Sequence, residues 1–356
     1  MRENCTSGTV RGVPGNRHSY RRGVQPIKDM SEERTAMKIV ILGAGALGSL
    51  LGAHLAQDGA EVILLARGPR AQWVREHGLT VTGLVNCTVP VHVVVHPQEV
   101  QDADVLLVAV KTYDTDAALR SLQHLAVESV LSVQNGVMKN EQVAHYFGWD
   151  KTLGAVAAFA GEVTPDGTVH CTIHDRLFLG ALRDGTSARV QAVAMAFAQA
   201  GLPTEVSPHI QSVEWSKYVR FVGLMAVAAL TRLETYKFSQ DPDLAHVRVL
   251  VEREVAQVAA RLGIPLGDYG VWQSKTMASL SIADAVARIR HSGEQLEQRG
   301  DTAQKVSALQ DLERGRRLEV EEILGYAVRK GTELGLQLPT VTTCYRLLAG
   351  IDRALR

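Results

Sequence analysis

Apolar residues along this chain fall into two textures. Up to about residue 207 they come as short runs: Ile39-Val40-Ile41-Leu42, Glu61 to Ala66, Val105 to Val110, Val130 to Gln134 and Thr152 to Ala160. Runs this short, separated by helical segments, predict strands, and Val105 to Val110, apolar at every position, predicts one buried on both faces. Their alternation with helices predicts a doubly wound α/β sheet of mainly parallel strands. Val81 to Val95 alternates apolar and polar residues and is broken at Pro90, which predicts a short antiparallel excursion. The stretch GEVTPDGTVHCTIHDRLFLG, residues 161–180, carries the turn signal Pro165-Asp166-Gly167 between β-rich runs and predicts a hairpin closing the sheet. Ala188 to Ala200 reads as a helix, stopped at Gly201-Leu202-Pro203. From about Pro208 nearly everything has helical period, most clearly over 210–238, 243–262 and 304–335. The expected organisation is an α/β domain over 37–207 and an all-helical domain over 208–356. Residues 1–36 are rich in Arg, Gly, Ser and Asn, show almost no apolar periodicity, and read as a flexible extension. They have no apolar core of a signal peptide, and Asp29, Glu32 and Glu33 argue against a transit peptide. Met37 opens the first strand directly, so a start there is equally readable.

The densest chemistry lies in MKIVILGAGALGSLLGAHLAQDGAEVILLAR, residues 37–67. Gly43, Gly45 and Gly48 stand in G-x-G-x-x-G spacing, with Ala44, Ala46 and Leu47 between them, directly after a strand and at the start of a helix. In that context the glycines serve a tight turn, close backbone approach to a pyrophosphate, and close packing of helix on strand. The free N–H groups of the helix start then face the phosphates. This predicts a Rossmann-type dinucleotide site. An NAD site usually ends the second strand with Asp or Glu, to bond the ribose 2′-hydroxyl. Here the strand runs Leu64-Leu65-Ala66-Arg67-Gly68-Pro69-Arg70, with two guanidiniums and no carboxylate. Arg matches a 2′-phosphate bidentately, so NADP(H) is the expected cofactor and Arg67 its reader, with Arg70 a solvated loop charge.

Composition narrows the partners. The 356 residues carry 38 Lys and Arg against 38 Asp and Glu, so no electrostatic case arises for nucleic acid or an acidic membrane. Cys5, Cys87, Cys171 and Cys344 are scattered, without disulfide or metal-ligand spacing, which fits a reducing, cytoplasmic setting. No metal site is expected. Phe221 to Leu230 is the longest apolar run and is too short to span a bilayer. A homodimer stays open; the sequence does not fix the oligomeric state.

Lys111 and Asn135 each directly follow a predicted strand, at the carboxyl end where ligands bind in open α/β sheets. By pattern alone each is equally a solvated charge or a turn residue. Lys217 sits among Val213, Trp215, Tyr218, Val219, Phe221, Val222 and Leu224. A lysine in so apolar a helix either snorkels to the surface or is held in a crevice, where burial lowers its pKa and suits it to donate a proton near neutral pH. Glu319 lies in a run of charges from which pattern singles out none. The twelve histidines show no metal-ligand spacing.

Taken together these positions resemble the ketopantoate reductase (2-dehydropantoate 2-reductase) family. The resemblance runs from Met37 through VLLVAVKTYDT with Lys111, VQNGV with Asn135, GAVAAFAGEVTPDGTVHCT and WSKYV with Lys217, to SALQDLERGRRLEVEEILGYAVRKGTELGLQLPT with Ser307 and Glu319. It implies a helical domain like the C-terminal domain of 6-phosphogluconate dehydrogenase. It implies NADPH held by the glycines and Arg67, with Lys111, Asn135 and Glu319 along the cofactor. Lys217 would be the general acid, Glu319 would help orient the substrate, and Ser307 and Asn135 would bind a 2-oxo acid. The chain departs from the family in one respect. Members carry asparagines four and eight residues after the catalytic lysine, the second followed by proline; here these are Phe221 and Met225, followed by Ala226. Residues four apart share a helix face, so Phe221 and Met225 are expected to line the substrate pocket and to favour a bulkier or more apolar 2-oxo acid. Other readings are an opine-type or 3-hydroxy-acid dehydrogenase, and an NADP(H)-binding sensor without turnover.

Overall fold

Ile39, Val40, Ile41 and Leu42 are at most 5% exposed and divide between two cores, Ile39 and Ile41 on one, Val40 and Leu42 on the other. Successive side chains of a strand point to opposite faces, so an unbroken apolar run needs cover on both sides. The computed structural model describes residues 36–183, 187–302 and 305–355, and there that cover is present. Residues 1–35, nearly all of the expected N-terminal extension, lie outside the described residues.

Strand β1 (Lys38–Leu42) leads through the glycine turn into α1 (Ala46–Gln57) and β2 (Glu61–Leu65). Then come α2 (Gly68–His77), β3 (Leu79–Gly83), β4 (Cys87–Val89), β5 (His92–Val94) and β6 (Asp102–Val108). Next are α3 (Thr115–Arg120), β7 (Ala126–Ser132), α4 (Met138–Phe147), β8 (Thr152–Val163) and β9 (Val169–Ala181). Helix α5 (Ala188–Gln199) and β10 (Thr204–Val206) complete this part. The strands form one sheet in the order β4-β3-β9-β8-β7-β6-β1-β2-β5, with β10 beside β9. Its centre, from β5 to β8, is parallel throughout. The expected hairpin is present as the antiparallel pair β8 and β9. The expected excursion is only half antiparallel: β3 pairs β4 in that sense, but beyond Pro90 strand β5 joins β2 in parallel. Strand β7 pairs with β8 only at Val130 with Thr152 and Leu131 with Leu153; beyond these the two strands part.

After β10 the chain is helical: α6 (Ile210–Thr231), α7 (Thr235–Gln240) and α8 (Pro242–Arg261). A ribbon of two-residue strands, β11 (Asp268–Tyr269) and β12 (Trp272–Gln273), interrupts it. Strands so short leave no periodic signal, which is why the sequence pattern predicts helix alone. Helices α9 (Ser274–Ser279), α10 (Ile282–Gln298), α11 (Ser307–Glu313), α12 (Tyr326–Glu333) and α13 (Pro339–Ala354) follow, with a π-helical turn at Glu321–Gly325 before α12. Helix α6 is the axis of this half. It contacts α8, α11 and α13 as well as β8, so buried residues occur all round it. From Ala36 onward the chain packs as one compact unit. Among the described residues no helix is long and apolar enough to cross a membrane.

Candidate functional site

The turn between β1 and α1 is shaped by its glycines. Gly43 has φ +111°, and a Cβ there would lie 2.8 Å from the Val110 amide nitrogen. A Cβ on Gly48 would lie 2.1 Å from the Gly43 carbonyl oxygen, so helix and strand approach as closely as they do only with glycine present. Gly45 differs: its nearest neighbour would be the Ala109 carbonyl oxygen at 3.8 Å. Gly43 and Gly48 thus serve the fold, and Gly45 leaves open room for a group to approach the backbone at the start of α1. This is the arrangement a pyrophosphate needs. The three glycine roles read from the spacing are therefore physically separable here.

Arg67 stands exposed immediately before α2 and lines the same cleft. Arg70 does not match the expected solvated loop charge. It is partly buried, its Nε donates to the Ala44 carbonyl at 2.9 Å, and its Nη2 donates to Ser49 Oγ at 3.0 Å. Its Nη1 donates to the Gly167 carbonyl in the β8–β9 turn, and its guanidinium lies 4.9 Å from the Trp73 ring centre. Arg70 is a brace that ties the glycine turn to the hairpin, with three of its five N–H donors on carbonyls and a hydroxyl, and it also lines the cleft.

The cleft occupies about 740 Å³ outside the carboxyl ends of β1, β6 and β7. One wall is the glycine turn, Gly43 to Leu47, with Leu65 to Arg67; the other is Ser307, Gln310, Asp311, Arg314, Arg316 and Glu319. Lys111, just past β6, reaches across it: its Nζ lies 2.5 Å from Asp311 Oδ2 and 3.4 Å from Glu319 Oε2. Glu319 Oε1 accepts from both the amide and the hydroxyl of Thr112, at 2.9 and 2.8 Å. Desolvation works against the Lys111 ammonium, but the charges of Glu319 and Asp311 together outweigh it and hold its pKa above the usual lysine value. Asn135 lines the cleft next to Gln134, whose amide is fixed by donating to the Val110 carbonyl and to Thr115 Oγ1, each at 2.7 Å. The residues expected at the cofactor and substrate, from Gly43 to Leu47 with Arg67, Lys111, Asn135, Ser307 and Glu319, thus face one cavity; Gly48 lies behind it, under the turn.

Lys217 stands apart from that wall. Its Nζ donates to the Ala157 carbonyl of β8 at 2.9 Å and sits 5.6 Å from the Trp272 ring centre. Burial first, and then the charge of Lys139, lower its pKa to about 7. The crevice alternative, not snorkelling, describes this lysine. Phe221 and Met225 do not line the cleft as expected. Met225 is 1% exposed within the helical core, and Phe221 packs against the same core. For Met225 the reason is geometric. At 100° per residue, a position eight residues on has rotated by about 80° and lies about 12 Å along the axis, so Lys217 and Met225 do not share a face on a helix covered from several sides.

Asp311, Thr112 and the buried pair Lys139 and Glu214 are not singled out by the sequence pattern. Asp311 and Thr112 each neighbour a residue that is, so extending each motif by a few positions finds them. The others owe their place to strands distant in the chain, and no local signal marks them. Among the described residues no cluster of His, Cys, Asp and Glu is placed to hold a metal ion.

Comparison with known proteins agrees with this geometry. The sequence profile described as "Ketopantoate reductase PanE/ApbA" matches residues 39–184, and its C-terminal counterpart matches residues 209–352. A 2-dehydropantoate 2-reductase of Archaeoglobus fulgidus is 31% identical over 318 residues, covering 89% of this chain and 99% of the relative. One from Pyrococcus abyssi is 28% identical and covers 88% and 97%. The crystal structure of a PanE/ApbA family ketopantoate reductase from Ralstonia eutropha JMP134 superposes with a TM-score of 0.74 at 29% identity, covering 90% of this chain and 99% of the other. The glycine turn, the cleft and the helical half thus come together in a chain that belongs to the ketopantoate reductase PanE/ApbA family of oxidoreductases.

Proposed function

We propose that the protein reduces a 2-oxo acid to a 2-hydroxy acid with NADPH, and that 2-dehydropantoate is the first substrate to test. The observation that carries this reading is the cleft itself: a dinucleotide turn open at Gly45 on one wall, and Ser307, Asp311 and Glu319 on the other. When bound, the dinucleotide supplies the hydride. The chain's own residues supply the rest. Arg67, exposed and free of ion pairs in the described structure, receives the 2′-phosphate. Ser307 and Asn135 bind the carboxylate end of the substrate. Glu319, fixed by Thr112, holds Lys111 in place and helps orient the substrate. Lys217, which rests on the Ala157 carbonyl outside the cleft lining, turns from that carbonyl to give its Nζ proton to the substrate oxygen as it becomes an alkoxide, so that one N–H bond breaks and one O–H bond forms. An ammonium with a pKa of about 7 is matched to that task at neutral pH. The proposed division of labour is 37–207 for the cofactor and 208–356 for catalysis.

Positions 221 and 225 carry no amide and pack in the helical core, so they offer no group to bond a substrate hydroxyl. A site that bonds a substrate hydroxyl discriminates strongly through such groups, so a more apolar 2-oxo acid is the second reading. The test is oxidation of NADPH by purified protein across a panel of 2-oxo acids, followed at the nicotinamide absorbance band. Turnover of 2-dehydropantoate supports the first reading; turnover of other 2-oxo acids alone supports the second. Binding of NADPH without any oxidation would overturn both and leave a dinucleotide sensor.

A further inference from the structure

Strands β7 and β8 pair for two residues and then part, which leaves backbone groups on the facing edge of β8 without a ladder. Ala155 and Ala157, two apart along β8, turn to that same edge. Three side chains take the vacant places. The Ala155 amide donates to Glu214 Oε1 at 3.3 Å, and its carbonyl accepts from Lys139 Nζ at 2.6 Å. The Ala157 carbonyl accepts from Lys217 Nζ at 2.9 Å. Lys139 also donates to the Ser132 carbonyl, the last residue of β7, at 2.9 Å, and so staples the two strands where they divide. Glu214 faces Lys139 at 3.7 Å and accepts from Asn140 Nδ2 at 2.7 Å. Lys139 and Glu214 are 3% and 4% exposed, so this pair is deep in the molecule.

A buried ion pair is weak as a stabilising device; its desolvation consumes most of its attraction, and apolar residues of similar volume often serve stability as well. Backbone groups at a strand's parting need filling, but neutral side chains could do it. What charge adds here is a field at the third member of the row. We propose that Lys139 and Glu214 are positioning residues for Lys217: together they fix the free edge of β8 on which its ammonium rests and set the field it meets there.

The surroundings of Lys217 keep the assignment narrow. From α4 the charge of Lys139 acts on it; from β8 it meets the uncharged Ala157 carbonyl; from β12, the neutral Trp272 ring. On α6 itself Glu214 is engaged with Lys139 and Asn140, and Arg220 is coupled instead to Arg248 and Glu252 of α8. The positive charge of Lys139 disfavours a second ammonium beside it, and the Glu214 carboxylate, 3.7 Å from Lys139 Nζ, is placed to offset it. Removing either charge therefore moves Lys217 in opposite directions.

The inference rests on the Lys217 assignment for its functional meaning, and its test is independent of it. Full-length protein labelled with ¹⁵N at the lysine Nζ is titrated by NMR, with the Lys217 signal identified by its absence from Lys217→Met. In Lys139→Met the Lys217 midpoint is expected to rise, because the repelling charge is gone and Glu214 remains. In Glu214→Gln, whose single amide oxygen keeps the bond from the Ala155 amide, it is expected to fall. Midpoints unchanged in both variants overturn the proposal; should Lys139→Met fail to fold, Glu214→Gln decides alone. The alkaline limb of kcat for 2-oxo acid reduction is then measured on the same variants. A limb that moves with the midpoint supports both assignments. A midpoint that moves while the limb stays leaves the coupling intact and removes Lys217 as the proton donor.

Discussion

At Lys217 the chain keeps an ammonium where water is scarce, and this has consequences separable from catalysis. Its pKa in the folded protein is about 7, below the ordinary lysine value of an unfolded chain. Between those two values the unfolded state binds more protons than the folded one, so stability rises with pH across that window. The slope is at most about 1.4 kcal/mol per pH unit for one group. Chemical denaturation across that range should show the slope in the wild type and lose it in Lys217→Met; an unaltered slope places the proton uptake elsewhere. For the reaction the sign is the reverse: a proton donor must be charged, so kcat for reduction should fall as pH rises through about 7. Lys217→Ala should lower kcat by roughly a hundredfold or more, and an unchanged kcat removes the role. The two arginines after β2 divide in the same way. Arg67→Ala should weaken NADPH far more than NADH. Arg70→Ala strips donors from the Ala44 and Gly167 carbonyls and from Ser49, so both cofactors should weaken alike.

At the scale of elements, the glycine turn is the least forgiving joint. Gly48→Ala places a methyl 2.1 Å from the Gly43 carbonyl oxygen, a contact that only a shift of α1 away from β1 relieves. Overpacking of this kind costs about 1–3 kcal/mol, and here it also closes the turn that faces the cleft. Dinucleotide affinity should therefore fall more steeply than thermal stability in Gly48→Ala. Helix α8 offers a control far from the cleft. Asp241 Oδ1 accepts from the amides of Asp243 and Leu244 at 3.0 and 2.9 Å, so Asp241→Ala should cost about 1 kcal/mol by denaturation and leave cofactor affinity unchanged. These elements differ in how far a sequence announces them. The unit β1-α1-β2 is legible because its cues are local: an apolar run, glycines at fixed spacing, helical period, a second run. The parting of β7 from β8 is not, because it depends on which strands are neighbours. Lys139 and Glu214, 75 residues apart in the chain, meet only through it. Met225 shows the converse failure. Its distance from Lys217 in sequence suggests a shared face, but α6 is covered by α8, α11, α13 and β8, and a helix buried all round has no single apolar stripe for a pattern to reveal.

Taken as a whole, the molecule holds its cleft by charge pairs that link sheet and helical halves: Lys111 to Asp311 and Glu319, and Glu162 of β8 to Arg314. Asp311 and Glu319 are buried at 5% and 9% exposure, so water screens the Lys111 pairs less than it would at the surface. Residues of both halves line this cleft, and any ligand that binds only the folded state stabilises it by mass action, by about 2.7 kcal/mol at a hundredfold excess over Kd. NADPH should therefore raise the thermal midpoint of the protein by several degrees. At equal concentration NADH should raise it less, because Arg67 has no phosphate to meet. In Arg67→Ala the two cofactors should raise it equally. In Lys217→Ala the NADPH effect should persist although turnover is lost, since Lys217 lies outside the cleft-lining residues. Loss of the NADPH shift in Lys217→Ala would mean that the lysine supports the cofactor end of the molecule. It would then contradict the assignment of binding to the glycine turn and Arg67, and of proton transfer to the crevice beside β8.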